Sequence, residues 1–74
     1  MNDINRSRIS YYVLCVGEFA RQKKLAPKEA FNYLHTYKGI DFLIECYEAE
    51  HTLSLYDSVE DLTLICKNNG GELK

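Results

Sequence analysis

Apolar positions recur at three- and four-residue intervals over the first third of the chain. This spacing predicts an amphipathic helix from about Ile4 to Lys24, with Asp3 as its N-cap. Gly17 falls inside this helix, where glycine costs about 1 kcal/mol relative to alanine, and it therefore predicts close approach by another helix. The predicted buried face consists of Ile9, Tyr12, Val13, Val16, Phe19 and Ala20.

A second helix is predicted to begin at Pro27, because proline suits a first helical position, where the backbone N–H has no partner. Lys38 and Gly39 end this helix, with Gly39 in the left-handed position that follows many helices. The residues predicted to face inward are Ala30, Phe31, Leu34 and Tyr37.

Asp41 is a suitable N-cap for a third helix, which we expect to end at Glu50 or His51. The segment 52–56 alternates polar and apolar residues and is too short for a firm assignment to strand or helix. We interpret it as an extended connection that packs two leucines, Leu53 and Leu55, against the core. The predicted inner face of the third helix comprises Phe42, Leu43, Cys46, Tyr47 and Ala49.

The sequence Asp57-Ser58-Val59-Glu60 has the pattern of a capping box and predicts the start of a fourth helix. Its inner face would contain Val59, Leu62, Ile65 and Cys66. The Asn- and Gly-rich segment 68–71 ends it, and residues from about 70 to 74 are predicted to form a frayed tail. These elements predict one all-α domain over residues 1–74, a compact bundle of three to four helices.

The composition agrees with one small domain, since 46% of the 74 residues are apolar. Charge is unevenly distributed. Up to residue 40 there are seven Lys/Arg and three Asp/Glu, a balance of +4, whereas from residue 41 onward two Lys and eight Asp/Glu give −6. Such an asymmetry affects partner preference and encounter rate rather than the fold.

The cysteines are odd in number and widely spaced, at Cys15, Cys46 and Cys66. Because no CxxC or HxxxH pair accompanies them, we predict no metal and no cofactor, and thiols that pack as small hydrophobic groups. Polar residues interrupt any signal-peptide-like run near the start, and no stretch approaches the roughly 20 apolar residues that span a bilayer. These observations favour a cytoplasmic protein with reduced thiols and no membrane segment.

Catalytic chemistry has little support in the sequence. Glu45 and Glu48 share a helical face, but a catalytic pair of carboxylates needs a pocket, for which so short a bundle has little room. No nucleophile–base pair, phosphate-binding loop or set of metal ligands is visible. We therefore predict that the chain is not an enzyme.

Several residues are candidates for contact with a partner protein. The third helix presents an acidic docking surface formed by Glu45, Glu48 and Glu50. His51 closes that helix, where it either bonds the last carbonyl groups or contacts a partner. Tyrosine is enriched in interfaces, and Tyr11 and Tyr33 fall just off the apolar stripes, so we predict that both are exposed contacts.

Basic residues cluster around the turn between the first two predicted helices, at Arg21, Lys23, Lys24 and Lys28. They predict a nucleic-acid-binding surface for an alternative function, that of a small DNA-binding regulator. A helix-turn-helix in which the third helix enters the major groove is disfavoured, because that helix carries four acidic residues and no basic one.

The order of short motifs along nearly the whole chain resembles domain-of-unknown-function family 3791. The most specific matches are the stretch Leu43-Ile44-Glu45-Cys46-Tyr47-Glu48 and the following His51-Thr52, preceded by Tyr37-Lys38-Gly39. The resemblance implies a small helical bacterial protein. Members of the family are often encoded beside small toxin-like proteins, including ones that resemble ADP-ribosyltransferases, so it further implies an antitoxin or accessory subunit and transfers no catalytic residue.

The sequence thus predicts a non-catalytic protein-binding module whose partner is another protein, encoded by a neighbouring gene if the family resemblance holds. Two alternatives stay open. One is the DNA-binding regulator, and the other is a homo-oligomeric structural module that buries surplus apolar surface against itself.

Overall fold

Helices make up most of the described chain. The computed structural model describes residues 3–71, with side chains from residue 6 onward, so the predicted N-cap at Asp3 lies outside the described side chains. Within this range there are five helices and no strand, which confirms the predicted all-α bundle. They are α1 (Asp3–Lys23), α2 (Pro27–Thr36), α3 (Gly39–Glu45), α4 (Tyr47–Glu50) and α5 (Leu55–Asn68).

A lysine with left-handed backbone follows each of the first two helices. Lys24 follows α1 with a φ of 59°, and Lys38 lies between α2 and α3 with a φ of 74°. The prediction that Gly39 takes the left-handed position is therefore wrong by one residue, because Gly39 already begins α3. Its lack of a side chain is needed for space, since a Cβ there would lie 2.8 Å from Cδ2 of Leu34.

The start of α2 is as predicted. Pro27 is the first helical residue, and the Glu29 carboxylate accepts a hydrogen bond of 3.1 Å from the backbone N–H of Ala26. This contact satisfies one of the N–H groups that a helix start leaves unpaired.

The predicted third helix is divided into α3 and α4. The backbone of Cys46, with φ −106° and ψ 19°, departs from helical geometry and separates the two. Asp41 lies in the first turn of α3 rather than at its N-cap, a place where the helix dipole still favours a carboxylate. Because the break reorients α4, the face predicted for a continuous helix does not persist: Ala49 is exposed and Glu50 is buried.

The fifth helix begins three residues earlier than the capping-box pattern predicts. Ser54 is the N-cap, and its hydroxyl accepts a 3.1 Å hydrogen bond from the backbone N–H of Asp57. The extended connection predicted over 52–56 is consequently wrong in its second half, because Leu55 is already helical. Leu55 packs against the core as predicted, whereas Leu53 is 40% exposed.

The core lies where four helices meet. Helix α1 contacts α2 and α5, and α3 contacts the same two helices. The prediction for the inner face of the last helix is confirmed at Val59, Leu62 and Cys66. The fully buried apolar residues are Cys15, Phe19, Ala30, Leu34, Leu43, Val59, Leu62 and Cys66.

The buried face of α1 differs from the predicted one. Tyr11, Cys15 and Phe19, spaced by four, are buried, whereas Ile9 and Val13 are 56% and 64% exposed. Residues spaced by four form one row along a helix, and α1 carries two neighbouring apolar rows. The core covers the row that begins at Tyr11 and, as predicted, Ala20. Tyr12 and Val16 pack partly against it, and Ile9 and Val13 are left at the surface.

The end of the described chain packs against α2. The N–H of Gly71 donates to the carbonyl of Cys66 at 2.8 Å, and the carbonyl of Gly71 accepts from the Tyr33 hydroxyl at 2.9 Å. Gly71 is buried, and a Cβ there would lie 2.6 Å from Cγ of Tyr37. The predicted frayed tail therefore does not include Gly71, and residues 72–74 lie outside the described residues.

Candidate protein-binding surface

An apolar groove lies between α1 and α2. Val13 on α1 and Phe31 on α2 are 64% and 47% exposed, and Ile40 of α3 contributes to the lining. The groove has a volume of about 450 Å³, and the hydroxyl of Tyr12 is the one polar side-chain group among its lining residues. These residues are Tyr12, Val13, Val16, Gly17, Pro27, Phe31 and Ile40.

The groove exists because α1 and α2 carry more apolar surface than the core covers. Ala30 and Leu34 are buried as predicted, but Phe31, which was expected to face the core with them, is at the surface. The Phe31 ring instead stacks on His35, with ring centroids 6.1 Å apart. Sequence periodicity alone does not separate these positions, since all three lie within the same broad apolar face of α2.

Gly17 forms part of this groove and has no close neighbour within the described chain. A Cβ at this position would meet no other atom within 4 Å, and its backbone is not in the left-handed region. The prediction that another helix of the chain approaches Gly17 is therefore wrong. A glycine that neither packing nor backbone conformation requires leaves an indentation on the groove's α1 side.

The basic candidates lie around the turn between α1 and α2, but they differ in their surroundings. Arg21 forms an ion pair with Glu18, and its Nε also donates to that carboxylate at 3.1 Å. Lys23 places its ammonium 5.8 Å from the centre of the Phe19 ring. Lys24 and Lys28 are exposed, and in the chain they lie before and after Pro27, which lines the groove. Positive charge at the turn is thus concentrated on Lys24 and Lys28.

The acidic docking surface predicted from three glutamates is wrong at one of them. Glu45 and Glu48 are exposed, whereas Glu50 is only 6% exposed. Glu48 also pairs with Arg8 at 3.1 Å, and the Arg8 guanidinium lies 4.6 Å from the centre of the Tyr47 ring. The break at the start of α4 explains the difference, because it turns Glu50 away from the face that carries Glu45.

Glu50 lies in a buried polar cluster with residues of α5. Its Oε1 atom is buried and has no hydrogen-bond partner, and its carbonyl accepts a 3.4 Å hydrogen bond from the Ser58 hydroxyl. Burial, together with the neighbouring Asp61 carboxyl, raises the pKa of Glu50 to about 7. A carboxyl group of this kind is partly protonated at neutral pH and is closed to a partner surface.

Both tyrosines predicted as exposed contacts serve the fold instead. Tyr11 is buried, and its ring makes an edge contact with Tyr47 at 5.5 Å between centroids. Tyr33 is half-buried and stacks on Phe19 at 5.6 Å, while its hydroxyl bonds the backbone of Gly71. Tyrosine can bury its ring and satisfy its hydroxyl at the same time, which is why a position just off an apolar stripe did not mean exposure.

His51 has the structural role that was one of its two predicted roles. Its Nδ1–H donates to the carbonyl of Tyr47 at 2.7 Å, and its ring stacks on the Tyr47 ring with centroids 4.6 Å apart. The side chain is exposed, so it completes the end of α4 at the surface.

The cysteines pack largely as predicted. Cys15 and Cys66 are buried, and burial raises the pKa of both thiols, while Cys46 is half-buried. In the part of the chain that the structure describes, no three His, Cys, Asp or Glu side chains are grouped so that they could hold a metal ion. Over the same residues, none of the helices combines the length and apolar character needed to cross a membrane.

The groove was missed by sequence reasoning because Val13 and Phe31 were assigned to the core. One signal was available, namely that α1 has apolar residues on more than one face, including Leu14 as well as Val13. Helix α1 packs mainly against α2 and α5, which leaves part of so wide an apolar surface uncovered.

Comparison with known proteins identifies a matching family. The model of a family described as a protein of unknown function, DUF3791, matches residues 10–69. We found no match to the chain among curated proteins and none among solved structures. The matched range extends from α1 to the end of α5 and takes in every residue of the groove. This chain therefore belongs to domain-of-unknown-function family 3791.

Proposed function

We propose that this chain is a non-catalytic protein-binding module of the bacterial cytoplasm, and that it acts as the antitoxin or accessory subunit of a toxin pair. The α1–α2 groove is the observation that carries the proposal. The toxin partner itself is an expectation from the resemblance to family 3791, whose members are often encoded beside toxin-like proteins.

The groove supports binding because its apolar residues are clustered rather than scattered. Single exposed apolar side chains are ordinary on protein surfaces, but contiguous apolar patches are typical of binding sites. Val13, Phe31 and Ile40 share one depression with hardly any polar groups. In a chain of 74 residues, which has little apolar surface to spare from its core, leaving such a cluster uncovered is costly unless something covers it.

The groove replaces the acidic surface as the principal contact. Of the three glutamates first expected to dock, Glu45 and Glu48 are still available at the surface, and Glu48 is already paired with Arg8. Exposed charges of this kind affect the rate of encounter more than the affinity. We assign them a secondary role beside the groove.

The test compares groove variants with a matched variant elsewhere. Phe31→Asp and Val13→Asp place a charge in the groove. Leu64→Asp places the same charge outside the groove, at an apolar residue of α5 that is 57% exposed. Each variant is tagged at native expression in the host and is also co-expressed with the product of the adjacent gene. Circular dichroism verifies that all three variants are folded.

We expect one stoichiometric partner to co-purify with the unmodified chain and with Leu64→Asp, and to be lost with both groove variants. Retention of the partner by Phe31→Asp and Val13→Asp would show that another surface binds it. Absence of any partner from the unmodified chain, together with a concentration-dependent dimer in sedimentation, would favour the homo-oligomeric module instead.

The DNA-binding alternative has less support. The Arg21 guanidinium is held by Glu18, which leaves Lys24 and Lys28 as the exposed positive charges at the turn. Phosphate binding usually draws on many more cationic contacts than this. A gel shift on upstream DNA at low salt that disappears in a variant with Lys23, Lys24 and Lys28 neutralised would restore it.

A further inference from the structure

We infer that the groove accepts one amphipathic α-helix of the partner protein, which crosses α1 at Gly17 and carries acidic residues towards Lys24 and Lys28. The inference rests on the proposed function, that the groove binds a protein, and it specifies the partner segment. Three observations carry it: the Tyr12 hydroxyl is the one side-chain hydrogen-bonding group in the groove lining, the backbone at Gly17 is open, and positive charge lies at one end.

The apolar lining selects a helix over an extended segment. An extended peptide needs partners for its backbone N–H and C=O groups, and buried groups without partners are costly. The groove offers the Tyr12 hydroxyl as its one polar side-chain group, the backbone of α1 that lines it lies in the interior of a helix and pairs within that helix, and Pro27 has no N–H. A helix satisfies its own backbone and can place apolar side chains at i, i+3, i+4 and i+7 against such a surface.

Gly17 gives the crossing point. Glycine inside a helix is unfavourable relative to alanine, yet a Cβ at Gly17 would contact nothing within 4 Å and its backbone geometry suits any residue. The fold of the described chain therefore does not require it. Small residues at helix crossings allow two backbones to approach closely, so a helix from outside the chain is the partner that would use this glycine.

The positive charge at the end of the groove indicates the charge of the helix that binds there. Lys24 and Lys28 are exposed on either side of Pro27, which lines the groove. Two acidic residues lie nearby. The exposed Glu29, beside Lys28, accepts a hydrogen bond from the backbone N–H of Ala26. Glu18, beside Gly17, accepts from both Arg21 and Gln22, and the Arg21 bond in particular lowers its pKa to about 2. With both carboxylates already hydrogen-bonded, the two lysines favour a partner that brings acidic side chains.

The same charges disfavour a crossing of two α1 helices as the way in which a second copy of this chain would fill the groove. If two α1 helices crossed at Gly17 in parallel, Lys24 of one copy would lie beside Lys24 of the other. If they crossed in antiparallel orientation, the lysine would be directed towards the end that carries Arg6. Both arrangements bring like charges together, whereas an acidic helix from another protein does not.

The test uses a photo-crosslinking residue in the intact chain, at native expression in the host. Phe31→p-benzoylphenylalanine places the crosslinker in the groove, and Leu64→p-benzoylphenylalanine places it on α5 as the matched control. Each is made with glycine at position 17 and again with Gly17→Ala. Mass spectrometry then identifies the crosslinked peptide, which is synthesised and titrated against the purified chain.

We expect the groove position to capture one segment that has helical apolar periodicity and net negative charge, and the control position not to capture it. Gly17→Ala should weaken binding of the synthetic segment about tenfold, because the added methyl group keeps the two helices apart. Lys24→Glu with Lys28→Glu should also weaken it, and more strongly at low salt.

The remaining outcomes separate the two proposals. Capture of an acidic helical segment whose affinity Gly17→Ala does not change would overturn the close crossing and leave the proposed function intact. Capture of a second copy of the chain, or of a basic or extended segment, would overturn the inferred occupant. If the groove position captures no protein beyond the control, or only lipid, the proposed function fails together with the inference.

Discussion

The hydroxyl groups of Tyr11 and Ser58 lie 2.7 Å apart in the buried contact between α1 and α5, although 47 residues separate them in the chain. Ser58 also lies 3.4 Å from the carbonyl oxygen of Glu50 and donates to it. Because the Ser58 hydroxyl has one proton and donates it to Glu50, Tyr11 is the donor in the bond between the two hydroxyl groups. One chain of hydrogen bonds therefore connects α1, α5 and the end of α4, and it does so inside a largely apolar core.

Removal of either hydroxyl should destabilise the fold to a different extent. Tyr11→Phe removes one donor and leaves Ser58 bonded to Glu50, so we expect a loss of about 1 kcal/mol in the free energy of unfolding. Ser58→Ala leaves the buried Tyr11 hydroxyl without the Ser58 hydroxyl and removes one of two hydrogen bonds to the Glu50 carbonyl, which still accepts from the Leu53 N–H at 3.0 Å. We expect a loss of about 2 kcal/mol. Urea unfolding followed by circular dichroism measures both.

Tyr56→Phe is the control for these variants, because Tyr56 is 59% exposed. Its free energy of unfolding should stay within about 0.5 kcal/mol of the unmodified value. If Ser58→Ala were as stable as this control, the hydrogen-bonded chain would not contribute to stability.

Glu50 should make the fold less stable as pH rises towards neutrality. Its folded-state pKa of about 7 lies above its ordinary value of 4.5, so the folded state binds the proton more tightly than the unfolded state. The stabilising contribution is complete below about pH 4.5 and is lost as pH rises through about 7. The expected slope is at most about 1.4 kcal/mol per pH unit.

Among the groups facing Glu50, Asp61 reinforces this dependence, whereas the hydrogen bond with Ser58 opposes it. Asp61 and Ser58 approach from α5, and Tyr11 and Cys15 approach from α1. Glu50→Gln should flatten the decline between pH 5 and 7, whereas Glu45→Gln at the surface should leave it unchanged. Urea midpoints measured across that pH range test both expectations. Stability that rises with pH in the unmodified chain would contradict a raised pKa of Glu50.

The sequence predicts the helices themselves well, because helix formation depends on local features. Pro27 begins a helix through its missing N–H, and the inner face of α5 follows from the spacing of Val59, Leu62 and Cys66. At the start of α5, Ser54 and Asp57 are both good capping residues. Which of the two caps the helix depends on the path of the chain from α4, and the local sequence does not determine that path.

Burial is less predictable from this sequence, because it depends on which neighbours a helix finds. Helix α1 is apolar over more than one face, and tertiary contacts with α2 and α5 bury Tyr11 and Cys15 and leave Val13 exposed. Glu50 is buried because the chain breaks at Cys46, and nothing in the residue types near Cys46 signals that break. The groove and the buried carboxyl, the two features of greatest interest, both follow from such tertiary choices.

The three thiols should react with a disulfide reagent at clearly different rates. Cys46 is half-buried, whereas Cys15 and Cys66 are buried in the core and burial raises the pKa of both. Because the thiolate is the reactive form, the two buried cysteines should react only when the fold opens. We expect one fast thiol at pH 8 and two that react at least about tenfold more slowly.

Cys46→Ser identifies the fast thiol, since it should abolish the fast phase and leave the slow one. Denaturant should bring all three thiols to the same rate in the unmodified chain. Two or three fast thiols without denaturant would mean that the core opens far more readily than its burial indicates.

Alanine at the two helical glycines, Gly17 and Gly39, should change stability in opposite directions. A Cβ at Gly39 would lie 2.8 Å from Leu34 Cδ2 and 3.0 Å from Cys66 Sγ, so Gly39→Ala forces the core apart and should cost about 1 to 3 kcal/mol. A Cβ at Gly17 meets nothing within 4 Å, and Gly17→Ala should stabilise the free chain by up to about 1 kcal/mol. Thermal and urea unfolding of the two variants measure both effects. Loss of stability in Gly17→Ala would mean that the fold itself requires this glycine. A gain would leave binding as the remaining physical reason for a glycine that makes the free chain less stable than alanine would.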